Sequence, residues 1–329
     1  MKDMQSVMEA LAEGGKISIE VVPPSRGGDI EEILRAVELI MPRQPAFVSV
    51  TDHPAGRAWA EAEGGPARVA LRTKPGTLGT AVALREAFGV RAVPHLVSSG
   101  ADRLAMEDLL IDLHYAGFRD VFAVRGDERY APPAARPPVP ASARVPPFEA
   151  RGYAHASDLV SHIASLNRGS YTPPSEGRPT AFTIGVAGYP QKHFEAPNLE
   201  ADALRLKEKI EAGASYVLTQ MIFEARPYVE LVERLRGLGV DVPVVPGLKP
   251  VLRSSTLASI PRTFFIDLPP ELVRAMGEAR SPAEERAAGV AWTARVAAEL
   301  VDAGAPCLHF FTMGTGAGTR AVIDALYGS

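Results

Sequence analysis

The chain has 329 residues, of which 46% are hydrophobic and 22% charged, a composition that excludes a disordered or fibrous protein. Its net charge of −4 lacks the basic character that nucleic-acid binding usually requires, and its single cysteine, Cys307, excludes a disulfide framework and favours a reducing compartment. Met1–Lys16 lacks the apolar core of a signal peptide and no run of about 18 apolar residues follows, so we expect a cytoplasmic protein without membrane contact.

Short apolar runs rich in β-branched residues recur along the chain and are predicted as strands. Most are apolar at successive positions, which is typical of strands buried on both faces of a parallel sheet. The predicted strands are Ile17–Val22, Ala46–Thr51, Val90–Val97, Asp120–Val124, Ala181–Ala187, Ser215–Phe223, Val242–Pro246 and Cys307–Thr312.

Helical patterns lie between these runs, with apolar residues spaced three and four apart. Asp29 is a predicted N-cap of the first of them. The predicted helices are Asp29–Ile40, Asp102–Tyr115, Leu199–Ala212, Pro227–Leu238, Pro282–Ala303 and Gly318–Leu326.

The alternation of strands and helices predicts an α/β fold, a (β/α)8 TIM barrel forming one domain over residues 1–329. The alternative is a doubly wound sheet, for which a GxGxxG motif should follow the first strand. The chain has Pro23-Pro24-Ser25-Arg26-Gly27-Gly28 there, which favours the barrel. Ala131–Pro147 holds seven prolines and is predicted to be an extended surface loop.

In such a barrel, chemistry collects where the strands end, and the first strand ends in a carboxylate among apolar neighbours. Burial should raise the pKa of Glu20 and make it a candidate general acid. A glutamate that meets solvent or a salt bridge is the alternative, and the local pattern does not separate the two.

Other predicted strands also end in polar groups. Arg125 and Asp127 flank a glycine that would let the backbone approach a ligand, although a local ion pair is the alternative. Gln220 lies in an apolar run, where its amide could meet a heterocycle or the neighbouring backbone. His53 and His95 lack the spacing of a helical metal pair, and no metal site is predicted.

Taken together, the strand ends resemble the methylenetetrahydrofolate reductase family over nearly the whole chain. Each segment is weakly specific alone, but the agreement of all of them in order is strong. The segments that carry the resemblance are Ser18–Pro24, Phe47–Thr51, Pro94–Leu96, Val124–Asp127, Asp202–Ala214, Thr219–Phe223, Val245–Pro250 and Leu308–Thr312.

The resemblance implies a flavoprotein in which NADH or NADPH reduces FAD, and the flavin then reduces 5,10-methylenetetrahydrofolate to 5-methyltetrahydrofolate for methionine synthesis. Glu20 matches the general acid of the family, Asp127 a carboxylate near flavin and pterin, and Gln220 with Phe223 the folate contacts. The positions that match FAD contacts are Thr51, His95, Arg125, Gly126, Asp127, His155, His193, Ala196, Asp202 and Lys209.

The chain departs from the family pattern at four places. Asp52-His53-Pro54 replaces Tyr-Gly-Ala, and His155 replaces a tyrosine. Glu208 replaces one cation of a basic pair near the diphosphate, and Gly314-Thr315 replaces an Asn-Arg that meets the folate tail. The anion at Glu208 favours a first rival hypothesis, in which hydride passes directly from nicotinamide to the folate without flavin.

Two more hypotheses remain open. A catalytically silent folate-binding or accessory paralogue would have no need of a buried acid, so Glu20 argues against it. A barrel oxidoreductase acting on another C1-carrier pterin is mildly favoured by the lost tail arginine. The sequence leaves open the choice of NADH or NADPH and the formation of a homo-oligomer.

Overall fold

The computed structural model describes residues 6–14, 16–53, 56–62, 65–71, 74–99, 101–126, 152–172, 175–312 and 314–328, with the backbone alone for 56–71. Ala131–Pro147 lies outside these residues, so its assignment as a surface loop stays a prediction.

Strands and helices alternate through the described chain. The strands are β1 (Ile17–Val21), β2 (Val48–Val50), β3 (Gly56–Ala62), β4 (Gly65–Leu71), β5 (Ala92–Val97), β6 (Asp120–Val124), β7 (Ser170–Tyr171), β8 (Ser175–Glu176), β9 (Thr183–Gly188), β10 (Tyr216–Ile222), β11 (Val244–Leu248) and β12 (Leu308–Phe311). The helices are α1 (Val7–Ala12), α2 (Glu31–Glu38), α3 (Thr77–Phe88), α4 (Arg103–Tyr115), α5 (Ala156–Asn167), α6 (Leu199–Glu211), α7 (Arg226–Gly237), α8 (Ser259–Phe264), α9 (Pro270–Glu278), α10 (Pro282–Asp302) and α11 (Ala317–Tyr327).

Eight strands close into a parallel barrel in the order β1, β2, β5, β6, β9, β10, β11, β12 and back to β1. Every neighbouring pair in this ring is parallel. The remaining strands form two antiparallel hairpins, β3–β4 and β7–β8. The predicted (β/α)8 barrel is therefore confirmed, and each of the eight predicted strands is one of the barrel strands.

The two faces of a barrel strand have different surroundings, as β1 shows. Ile17, Ile19 and Val21 are buried in the main apolar core, which lies between the barrel and its helices. Ser18 and Glu20 alternate with them and therefore face the barrel interior. The pleat of the strand thus carries the candidate acid into the barrel at its carboxyl end.

The amino end of the barrel is closed by α1, a helix that the apolar patterns did not predict. Val7 and Leu11 pack on the interior rings of Phe47 and Tyr216. The backbone N–H of Val7 donates to Oδ1 of Asp120, the first residue of β6, over 2.8 Å. Because this end is plugged, ligands can reach the interior groups from the carboxyl end.

The contact between α1 and Asp120 gives a first testable expectation. Burial raises the pKa of Asp120 to about 6, so the folded protein holds a proton that the unfolded chain loses from about pH 4 upward. Stability should fall as pH rises through this window, and Asp120→Asn should remove that dependence. Asp120→Ala should cost about 1–3 kcal/mol, because the N–H of Val7 loses its acceptor. Urea unfolding at pH 4 to 8 measures the pH dependence and the loss of stability. If the Asp120→Ala variant were as stable as the wild-type protein at every pH, the contact between Val7 and Asp120 would be contradicted.

Candidate active site

Glu20 lies at the carboxyl end of β1 with 14% of its side chain exposed. Burial raises its pKa to about 8, against the opposing charge of Lys249. A glutamic acid of this kind is protonated at neutral pH and can lose its proton to a substrate. The sequence-based prediction of a desolvated carboxyl at this position therefore agrees with the geometry.

His95 lies directly beside the acid, with its Nε2 3.8 Å from Oε2 of Glu20. Burial, and then the nearby His53, lower the pKa of His95 to about 3. A neutral imidazole supplies no positive charge to stabilise a carboxylate, so His95 leaves the raised pKa of Glu20 in place. Its ring packs on Phe122 at 4.6 Å between centroids, which fixes it beside the acid.

A second histidine lies one layer further down. His309 on β12 is fully buried, and its Nδ1 lies 2.8 Å from the hydroxyl of Ser18. Burial lowers the pKa of His309 to about 3. The floor under Glu20 is thus polar but uncharged, which disfavours ionisation of the acid.

Several predicted FAD contacts around α6 lie near the carboxyl ends of β6 and β9. They already form hydrogen bonds or ion pairs with other residues of the protein. Arg125 forms an ion pair with Glu195. The backbone N–H of His193 donates to Oδ2 of Asp202 over 3.0 Å, and Nζ of Lys209 donates to the carbonyl of Ala187 over 2.6 Å. Burial lowers the pKa of Lys209 to about 8. Arg125 and Lys209 are therefore already bound to groups of this chain.

The other predicted FAD positions differ in their burial and in their surroundings. Thr51 follows β2 and its hydroxyl is buried with no hydrogen-bond partner among the described residues. Gly126 has φ +85°, and a Cβ there would overlap Val97, so the backbone after β6 requires glycine. Ala196 is buried, and His155 is exposed at the N-cap of α5. Asp127 lies outside the described residues.

The two predicted folate contacts differ in their surroundings. Gln220 is half-buried and lines a small pocket with Tyr189 and Lys192, and its Oε1 accepts from the backbone N–H of Met221 over 2.9 Å. Phe223 is buried in a separate apolar cluster with Val251 and Ile266. Its contact with a ligand stays a prediction.

Two charged residues near the site, Glu195 and Lys249, were not assigned roles by the sequence analysis. Glu195 is two residues from His193, but its pairing with Arg125 joins segments 70 residues apart. Lys249 follows β11 within a proline-flanked segment that reads as a stiff loop. Neither placement has a local sequence signal, because both depend on which strands become neighbours in the barrel.

The fold and site together define a (β/α)8 barrel with a buried acid at the carboxyl ends of its strands. The profile of the methylenetetrahydrofolate reductase family matches residues 5–327, and the chain belongs to that family.

Curated relatives agree with this assignment. A 5,10-methylenetetrahydrofolate reductase of Pectobacterium carotovorum is 30% identical over 236 residues, which cover 71% of this chain and 64% of the relative. Methylenetetrahydrofolate reductase 1 of Schizosaccharomyces pombe is 23% identical over 311 residues, which cover 94% of this chain and 45% of the relative. The chain thus spans less than two thirds of these relatives' length.

Among solved structures, a Clostridium thermocellum protein described as binding two copies of 5-methyl-5,6,7,8-tetrahydrofolic acid has a TM-score of 0.63. It is 13% identical in sequence, and the match covers 97% of this chain and 96% of that one. This likeness concerns the fold. Within the described part of the chain, no helix has the length and apolar character needed to cross a membrane.

Proposed function

We propose that this protein reduces 5,10-methylenetetrahydrofolate to 5-methyltetrahydrofolate with electrons from NADH or NADPH, and that Glu20 is the general acid. Family membership supports the reaction, and the observation that carries the mechanism is the buried carboxyl of Glu20 with its pKa near 8. The compartment that we propose is the cytoplasm.

The reaction requires a proton before it requires a hydride. The five-membered ring of the methylene-folate must open to an iminium, and protonation of the ring nitrogen by Glu20 makes the amine a better leaving group. Burial keeps Glu20 protonated until the substrate arrives, and the uncharged His95 beside it does not oppose this. Gln220, which lines the pocket at the end of β10, would hold the donor and acceptor edge of the pterin.

FAD is the hydride carrier that the family resemblance implies, and when bound it would pass electrons from the nicotinamide to the folate. Residues near the acid fit a flavin: the hydroxyl of Thr51 is buried and without a partner among described groups, and the backbone at Gly126 can approach a ligand closely. The region proposed for the diphosphate fits less well, because Glu195 neutralises Arg125. We therefore propose that FAD binds weakly.

This fit leads to an expectation about Glu195. A diphosphate must displace this carboxylate from Arg125, so Glu195→Gln should tighten FAD binding by roughly fivefold, the scale of an exposed ion pair. Quenching of flavin fluorescence on titration measures the affinity. Glu211→Gln, which removes a carboxylate paired with Lys207 on α6, is the control and should leave it unchanged. An unchanged affinity in Glu195→Gln would remove Arg125 from the diphosphate site.

The pairing of Arg125 with Glu195 also favours a second candidate, direct hydride transfer from the nicotinamide to the folate on the same barrel. Glu208, exposed on α6 beside Lys209, adds a further anion to this region.

The two routes are separated by turnover with and without flavin. Protein freed of flavin is mixed with NADH or NADPH and methylenetetrahydrofolate, and nicotinamide oxidation is followed by absorbance while FAD is added. A rate that rises with FAD occupancy supports the flavin route. A full rate without FAD supports the direct route. If the folate stimulates no oxidation under either condition, the proposed function is wrong.

A further inference from the structure

Lys249 lies one residue beyond β11 and level with Glu20, on the opposite side of β12. Leu248 is in register with Phe310, and Glu20 is in register with Phe311. The residue after Leu248 is therefore level with Phe311, which separates Lys249 from Glu20. Leu248 packs in the core outside the barrel, so alternation turns Lys249 to the inner side, where Glu20 points.

The backbone that carries Lys249 is held on both sides. Leu248 before it is fully buried, and Pro250 after it restricts the chain. The next residue, Val251, is buried against α10, where Gly289 allows a close approach of the two backbones. A long flexible side chain thus starts from a fixed point beside the acid.

The other ionisable groups around Glu20 are neutral histidines and one lysine that is bound to the backbone. His95 on β5 and His309 on β12 are kept neutral by burial, and His53 after β2 acts on His95. Nζ of Lys74 donates to the carbonyl of Pro23 over 2.7 Å. Within the described residues, the cation that acts on the Glu20 carboxyl is Lys249.

We propose that Lys249 is a positioning residue for Glu20: its ammonium group pairs with the carboxylate that ring opening leaves and then returns a proton to it. In this step the N–H bond of Lys249 breaks and the O–H bond of Glu20 forms. The neutral amine then takes a proton from water at the mouth of the barrel. No electrons are transferred, and the next ring opening starts from a protonated acid.

Location and proton affinity both suit this role. Lys249 is half-buried at the mouth, whereas Glu20 is mostly covered, so the lysine can exchange protons with water more readily. Burial lowers the pKa of Lys249 while it raises that of Glu20, which brings the two groups closer in proton affinity. Transfer between them therefore costs less than it would in water.

Two variants separate the charge of Lys249 from its proton. Lys249→Met removes both, so the midpoint of the Glu20 carboxyl titration should rise by about one pH unit. Lys249→Arg keeps the charge but cannot lose its proton, so the midpoint should stay in place. Turnover with the folate should fall about 10²-fold in both variants, which is the lower end of the usual loss when a proton transfer is removed.

The titration is measured on the free protein by carbon-13 NMR of labelled glutamate, with Glu20→Gln to assign the signal. This rests on the proposed function only for turnover, so a failure of that function would leave the titration result standing. Lys207→Met is the control and should change neither quantity, because Nζ of Lys207 on α6 donates to the carbonyl of Leu238. Circular dichroism verifies that each variant is folded.

An unmoved midpoint in Lys249→Met would overturn the pairing. Wild-type turnover in Lys249→Arg would overturn the return of the proton.

Discussion

Glu20→Gln is expected to lower the rate of methylenetetrahydrofolate reduction by about 10²–10⁴-fold, the usual loss on removal of a general acid. Glutamine keeps the size of the side chain but has no acidic proton to give. The oxidation of NADH or NADPH by bound flavin involves no protonation of the folate and should keep its rate. Stopped-flow measurement of the two half-reactions separates these effects.

The pH dependence of the stability of Glu20→Gln provides a control for this experiment. The folded protein holds the Glu20 proton up to a pH of about 8, whereas the unfolded chain releases it near the ordinary glutamate pKa of 4.5. Wild-type stability should therefore fall, relative to Glu20→Gln, as pH rises from 4.5 to 8. Equal loss of both half-reactions would make Glu20 structural, and undiminished folate reduction would remove it from the mechanism.

Gly289→Ala is expected to have the largest effect on stability among single methyl additions. Gly289 lies within α10, and a Cβ there would overlap the backbone carbonyl of Val251, which cannot move aside as a side chain can. Overpacking of this kind typically costs about 1–3 kcal/mol and sometimes more. The segment it displaces begins two residues after Lys249, so folate turnover should fall together with the melting temperature.

Gly277→Ala provides a matched control in the neighbouring helix. Gly277 lies in α9, and a Cβ there would meet no described atom within 4 Å. Alanine is the better helix former, so this variant should be neutral or more stable by up to about 1 kcal/mol. Thermal unfolding of the two variants compares them directly. A Gly289→Ala protein as stable as wild type would show that α10 does not pack tightly on this segment.

The barrel could be predicted from the sequence because its strands are buried on both faces and are therefore apolar at successive positions. The prediction of the helices was less complete than that of the strands. The stretch Ser6-Val7-Met8-Glu9 forms a capping box at the start of α1, a readable signal that periodicity alone does not use. At the start of α4, Leu104 is 51% exposed, whereas Leu110 and Leu113 of the same helix are buried, so an apolar residue alone does not fix the buried face.

The site could be predicted where a single residue carries the signal and not where two distant segments meet. Glu20 stands out because a carboxylate interrupts an apolar strand. The pairing of Arg125 with Glu195 and the placement of Lys249 level with Glu20 depend on how the strands are arranged in the barrel. No local pattern encodes register between strands that are 70 or more residues apart in sequence, so these placements require the structure.

The central claim is tested most directly by identifying the product of a stoichiometric reaction. Wild-type protein and Glu20→Gln are each incubated without oxygen with 5,10-methylenetetrahydrofolate and NADH or NADPH, with and without FAD, and the folates are separated by mass. Wild-type protein should form one 5-methyltetrahydrofolate for each nicotinamide oxidised, and Glu20→Gln should form about 10²-fold less in the same time. If the wild-type protein forms no 5-methyltetrahydrofolate with either nucleotide, with or without FAD, the account is contradicted.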